Sequence, residues 1–415
     1  MIRRLLVPGV LALLCSTAVP FLGGCSSQSD DGSTASDDAI TEVKQTPVKD
    51  QSIGNCWTYA TTGWVESLVK TANGADMNLS ESYVNYWYWY SQITQGSVSD
   101  DTIAEGGTWG TAVELITAYG MMDEGVFIPA EASAQLSARQ ASALAAINAS
   151  LKTGALKSPE ARANPTLVRT ELNKAWALDD TVVKYLDQTF GADGARDLRN
   201  FAVPQGVPIY AAKDLPAKLA NATTKNIDNV TLADAIGSAS DFSTDVRTGP
   251  YAWSQAVYPT TPKDRRDFLK RVQRALHAEQ PVLLSWYVDF NALDAQGRFF
   301  APPATPGSQG SHMVVMYDYE VTDVPGFGTL KAGVLETRPA ALEAALSDDA
   351  KISFLRIKNS WGDYHSPIIT GYHDLYMTYL NGPMKECATD ADEKPILDQC
   401  HDDVPFGDVI LPAGF

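Results

Sequence analysis

Two residues far apart in the chain could together supply a nucleophile and its general base. Cys56 follows a turn-forming run, Ser52 to Asn55, and opens a segment in which Trp57, Ala60, Trp64 and Leu68 recur at three- and four-residue steps. That spacing predicts an amphipathic helix with Cys56 at its N-terminus. Unpaired backbone N–H groups at such an end favour negative charge, so the thiolate that cysteine chemistry uses as its nucleophile is stabilised there. A nucleophile of this kind needs a general base. Of the five histidines, His312 follows the Gly/Ser turn Gly307 to Ser311 and precedes an apolar run, Met313 to Met316. It therefore opens a predicted strand. Each residue alone also has a bland reading: free cysteines are commonly buried and inert, and a lone histidine before a strand is more often structural.

The surrounding motifs weigh against the bland readings. Gln51, Gly54, Cys56 and Trp57 resemble the active-site segment of the papain family of cysteine peptidases, the Gly-Ser-His turn resembles its histidine segment, and Asn359-Ser360-Trp361-Gly362, at the end of the apolar run from Phe354, resembles its asparagine motif. The order Cys, His, Asn is also that family's. The resemblance implies that Asn359 binds the far ring nitrogen of His312 under the cover of Trp361. It also implies that the Gln51 side chain and the Cys56 N–H hold the oxyanion. Two departures stand out. Four residues separate Gln51 from Cys56, one fewer than the family pattern, and Met313 stands where a small residue is usual. Gly106 and Gly107 resemble the glycine edge that lines the family's substrate cleft, where the missing side chains let a peptide backbone approach, and Trp361 is expected with them among the substrate-contacting residues. Asn78 to Ser82 resembles a helix start of the family, with Ser80 as the N-cap.

The resemblance implies an α+β fold in two parts, a helical domain carrying Cys56 and a barrel-like sheet domain carrying His312 and Asn359. On this reading residues 41–128 begin the helical domain, 129–250 form a helical insertion, 251–380 form the barrel domain and 381–415 a C-terminal extension. The insertion is Ala-rich, with helical patterns over Ala130 to Lys152, Leu167 to Ala177 and Thr181 to Phe190. In the last, Val182, Val183, Leu186 and Phe190 make an apolar stripe that reads as packing. The insertion, the segment from Leu79 to Tyr90 and a helix around Phe268 to Val272 resemble the bleomycin hydrolase and aminopeptidase C branch. In that branch a C-terminal tail enters the cleft, but the end of this chain does not align with those tails.

The first residues read as an address. Arg3 and Arg4, an apolar run from Leu5 to Leu22 and the small pair Gly23-Gly24 before Cys25 describe a signal peptide ending in a bacterial lipobox. Cleavage before Cys25 and lipidation of that cysteine are expected, with residues 26–40 as a flexible tether. An ordinary signal peptide without the lipid, or an uncleaved anchor, is the alternative. Beyond Cys25 the chain carries 30 Lys and Arg against 50 Asp and Glu, a net charge of −20. Such a surface disfavours nucleic acid and anionic headgroups, so the membrane link is expected to be the lipid. An exported chain with Cys56, Cys387 and Cys400 left suggests one disulfide, Cys387 with Cys400, and a free Cys56. No cofactor or metal is expected. The function expected is peptide hydrolysis. A decayed binding module on the same fold and a peptidase of cell-wall peptides remain alternatives.

Overall fold

A computed structural model of the chain describes residues 40, 43–239, 245–365, 370–390 and 394–415. The expected signal peptide, Cys25 and all of the tether but Ile40 lie outside these. None of the described helices is long and apolar enough to cross a membrane.

Helices dominate the first part. Helix α1 runs Cys56–Asn73 and stops where Gly74, at φ 77°, donates its N–H to Lys70. Helix α2, Glu81–Thr94, is capped by the Ser80 hydroxyl, which accepts from the Tyr83 N–H at 3.0 Å. Helix α3, Trp109–Tyr119, is capped in the same way by Thr108. Their apolar faces meet in a core rich in indoles, among them Trp57, Trp64, Trp87 and Trp109. The helices α4 (Ala138–Lys152), α5 (Pro165–Ala175) and α6 (Asp180–Phe190) pack onto this core through residues such as Ile147, Leu172 and Leu186. The expected stripe on α6 is buried at Val182, Leu186 and Phe190, with Val183 half-buried at its edge. The helix anticipated from Ala130 begins only at Ala138, because Gln135 and Ser137 pair their backbones with Asp50 in the loop before Cys56. Beyond its expected helices, the insertion also contains an antiparallel strand pair, Pro216–Ala220 with Ile227–Thr231, that packs on α1.

Helix α7, Pro262–His277, leads into the second part, where eight of the described strands make one sheet. In chain order they are β1 (Trp253–Val257), β2 (Val282–Asp289), β3 (Arg298–Phe299), β4 (Gln309–Val324), β5 (Gly328–Leu330), β6 (Lys351–Lys358), β7 (Tyr372–Tyr376) and β8 (Phe406–Pro412). The order across the sheet is β1-β8-β2-β4-β6-β7-β3, with β5 on the edge of β4. All pairings but β7 with β3 are antiparallel. The segregation of helices from an antiparallel sheet makes the class α+β. The boundary expected at residue 380 cuts through this sheet, since β8, read as part of a terminal extension, pairs with both β1 and β2. Its apolar alternation, Phe406, Val409 and Leu411, is what the sheet core buries.

One packing contact matters most for the site. Helix α1 lies against β4, and a Cβ on Gly63 would meet Val315 at 3.5 Å, an ordinary van der Waals distance. The N-terminus of α1 is thereby held next to the start of β4.

Candidate active site

The contact between α1 and β4 brings Cys56 and His312 to the lining of one cleft of about 320 Å³. Cys56 is the first residue of α1, preceded by Asn55 as an N-cap without a side-chain cap bond. His312 is the fourth residue of β4, opposite Trp286 of β2. Its Nε2 lies 2.7 Å from Asn359 Oδ1, immediately after β6, and the pair is buried. An amide oxygen can only accept, so Nε2 carries the proton and Nδ1 is left with its lone pair. The same Oδ1 accepts from the Ser360 N–H at 2.8 Å, which fixes the orientation of the amide. Trp361 stacks on the imidazole, with ring centroids 4.7 Å apart and planes 28° from parallel. Phe290 and Phe299 back Trp361 in turn.

Burial sets the resting charges. It pulls His312 down to about 4, against the hydrogen bond to Asn359 that raises it. It pushes the Cys56 thiol up, although the amides of Met313, Trp57 and Cys56 pull in the other direction. The helix N-terminus was expected to favour a resting thiolate; here removal from water outweighs the nearby N–H groups. Thiol and neutral imidazole are therefore the forms that burial favours in the free protein.

Gln51 sits beside this group but is turned inward. Its Nε2 donates to the Ile53 carbonyl at 2.9 Å, and its Oε1 accepts from the Ser360 hydroxyl at 2.6 Å. The Ile53 carbonyl lies inside the shortened loop, and its position decides which end of the amide carries the donor. Gln51 does not line the cleft. Gly106 and Gly107 do. Gly106 faces open space, whereas a Cβ on Gly107 would come within 2.6 Å of the Trp57 ring, so that edge must be glycine. Trp57 Nε1 donates to the Glu105 carbonyl and Tyr88 to the Gly106 carbonyl, which holds the edge against α1 and α2. Trp361, expected among the substrate-contacting residues, covers His312 and is not part of the cleft lining.

Several residues at and behind the cleft carried no sequence signal. Lys49 Nζ bridges Glu66 of α1 at 3.1 Å and Glu81 of α2 at 2.8 Å, and also reaches the Leu79 carbonyl. Burial would lower the Lys49 pKa, but the two carboxylates outweigh it and the ammonium is held charged. Lys358, next to Asn359, is buried with Nζ 3.0 Å from the Thr46 hydroxyl and is pushed down to about 8 by that burial. These contacts tie the strand carrying Asn359 to the segment that leads into Cys56. The cleft itself also contains Asp245, Gln255, Ser285 and Asp408.

Cys387 and Cys400 are bonded to each other across the hairpin Met384–Thr389 with Pro395–Asp403, and Cys56 is free. Among the described residues one group of metal-capable side chains converges, Glu386, His401 and Asp403, whose ligand atoms lie within 4.8 Å of one another on this hairpin. Residues 413–415 do not line the cleft; the Phe415 carbonyl accepts from Arg271 of α7 at 2.7 Å.

No family model and no curated protein matches the chain. Solved structures do resemble it. PepW from Lactobacillus rhamnosis HN001 is 14% identical over 90% of this chain and 81% of that one, with a TM-score of 0.43. Xylellain, a cysteine protease from Xylella fastidiosa, is 12% identical over 90% and 84%, with a TM-score of 0.33. The bromelain protease from Ananas comosus, in complex with the E64 inhibitor, is 12% identical over 89% and 93%, with a TM-score of 0.32.

Proposed function

We propose that the chain is a papain-type cysteine peptidase that hydrolyses peptide bonds through a Cys56 acyl-enzyme. The observation that carries this reading is the placement of Cys56, at a helix N-terminus, in one cleft with His312, whose far nitrogen is held by Asn359 under Trp361. In the proposed reaction, His312 Nδ1 takes the thiol proton as Cys56 Sγ attacks the scissile carbonyl. The thiolate and imidazolium form together, so the pair stays neutral overall where single charges are disfavoured. The Cys56 N–H faces the oxyanion. His312 then gives its proton to the leaving amine. Water, activated by the same imidazole, releases the acyl group and restores the thiol.

The inward turn of Gln51 favours a second reading, a binding module on this fold whose catalysis has decayed. A peptidyl epoxide or vinyl sulfone separates the two. The peptidase reading expects stoichiometric labelling that maps to Cys56 and disappears in Cys56→Ser; an unlabelled native protein supports the binding module. Export and lipid anchoring through Cys25 are proposed from the sequence of the first residues, with the peptide or protein substrate met outside the cytoplasm. Cell-wall peptides belong among the substrates to be screened.

A further inference from the structure

The cleft that holds Cys56 and His312 is not uniformly apolar. Its apolar lining includes Trp57, Met313 and Ile410, but the lining also includes two carboxylates, Asp245 and Asp408. Asp408 lies on β8, between β1 and β2, so its position is set by the sheet. Its Oδ2 accepts from Gln255 Nε2 at 3.0 Å. Asp245 Oδ1 accepts from the Gly110 N–H at the start of α3, at 2.6 Å. Among the described residues neither carboxylate has an ion-pair partner, and no Lys or Arg lines the cleft. Burial raises the Asp408 pKa, the hydrogen bonds from Gln255 and Ser285 work against that rise, and the charge of Asp245 adds to it, so hydrogen bonds but no cation offset the repulsion between the two carboxylates.

We infer that this end of the cleft receives a cation of the substrate peptide, an ammonium or guanidinium group, and that Asp408 with Asp245 sets that preference. The inference rests on reading the cleft as a peptidase site. A long basic side chain suits the lining as it stands: its methylene stem lies along Trp57, Met313 and Ile410, and its charged head reaches the carboxylates. A cation there also relieves the repulsion between Asp245 and Asp408 and gains charge-assisted hydrogen bonds. A neutral polar isostere gains neither. The same cation could come from a Lys or Arg side chain or from a free α-amino group, and the two sources are separable.

The test reads binding at Cys56 without requiring turnover. The rate at which iodoacetamide alkylates Cys56 is followed by mass spectrometry in the full chain, at about 0.3 M salt so that exposed charges are screened. Three short peptide amides compete: an N-acetylated peptide with Arg, its citrulline isostere, and the citrulline peptide with a free N-terminus. The expectation is that the acetylated Arg peptide protects at a concentration about ten- to a hundredfold lower than its citrulline isostere. Asp408→Asn and Asp245→Asn should each shrink that ratio. Protection by the free-amine peptide alone would keep the cation site and assign it to the substrate N-terminus. Equal protection by all three peptides in the wild-type protein would overturn the inference, and that result does not depend on whether either variant folds. Hydrolysis of the same peptides is measured separately. Selective protection without any hydrolysis would sink the peptidase reading and leave the cation site standing, while hydrolysis indifferent to charge would do the reverse.

Discussion

The bond between His312 and Asn359 can be turned into a charge pair by one substitution, and the outcome can be worked out beforehand. Asn359→Asp places a carboxylate where an amide oxygen now lies 2.7 Å from His312 Nε2. With charge centres about 4 Å apart and an effective dielectric constant of about 20, the attraction to an imidazolium is about 4 kcal/mol. That corresponds to roughly 3 pKa units. Burial of the new carboxylate works against its own ionisation, so the net rise is about 1 to 3 units. His312 must be neutral to accept the thiol proton. Burial holds the native residue at about 4, so wild-type kcat/KM should persist as the pH falls toward 4. The Asp variant should lose activity at a pH about 1 to 3 units higher. Asn359→Ala is the companion: it leaves two buried donors, the His312 Nε2–H and the Ser360 N–H, without their acceptor. Such losses cost about 1 to 3 kcal/mol each, divided between stability and rate. The Ala variant should fall roughly ten- to a hundredfold in kcat with no upward move of the acid limb. A fluorogenic peptide assay across the pH range, with urea unfolding alongside, reads both. Superimposable acid limbs for wild type and Asn359→Asp would refute the assignment of His312 as the titrating base.

Three further outcomes are expected. Gln51→Ala should lower kcat less than about tenfold, below the usual loss for an oxyanion donor, because Nε2 is already committed to the Ile53 carbonyl; a loss of a hundredfold or more would mean that the amide swings into the cleft when substrate binds. Asp318 is raised to about 7 by burial, against the hydrogen bonds it accepts from Gly333, Tyr319 and Ile40. A carboxyl group that is harder to ionise in the fold contributes stability that is present below its unfolded pKa and lost as the pH rises through its folded one. Unfolding free energies from urea titrations between about pH 5 and pH 8 should therefore fall more for wild type than for Asp318→Asn, by up to roughly 3 kcal/mol, and parallel curves would contradict this. Cys25→Ala should abolish labelling by radioactive palmitate in the native host and release the protein from membranes, whereas a wild-type protein that is itself soluble and unlabelled would leave only a plain signal peptide.

The site was legible where its signals are local. Cys56 announces a helix start through the turn before it and the apolar spacing after it, and α1 does begin at that residue. His312 and Asn359 flank runs of strand-forming residues, and β4 and β6 take up those runs side by side. The side-chain arrangement of Gln51 was not legible, because its oxygen is held by Ser360, 309 residues away, and its nitrogen by a loop whose path depends on that anchor. The bridge from Lys49 to Glu66 and Glu81 joins three separate segments, and nothing in the spacing of charged residues points to it. The late start of α4 has a similar cause, since Asp50 recruits the backbone of residues that favour a helix by composition. Asp408 sits in an alternating run that identifies a strand, but only the insertion of β8 between β1 and β2 reveals what that strand carries into the cleft.

The claim on which everything else rests is that the Cys56 sulfur attacks the peptide bond. Its most direct test is the rate at which purified Cys56→Ser cleaves a mixed peptide library, set against wild type and His312→Ala under identical conditions. A serine hydroxyl is far less readily ionised than a thiol, and nucleophile and base act as a unit. Both variants should therefore lose nearly all activity while unfolding at close to the wild-type urea concentration. A folded Cys56→Ser protein that cleaves peptides at the wild-type rate would contradict the account.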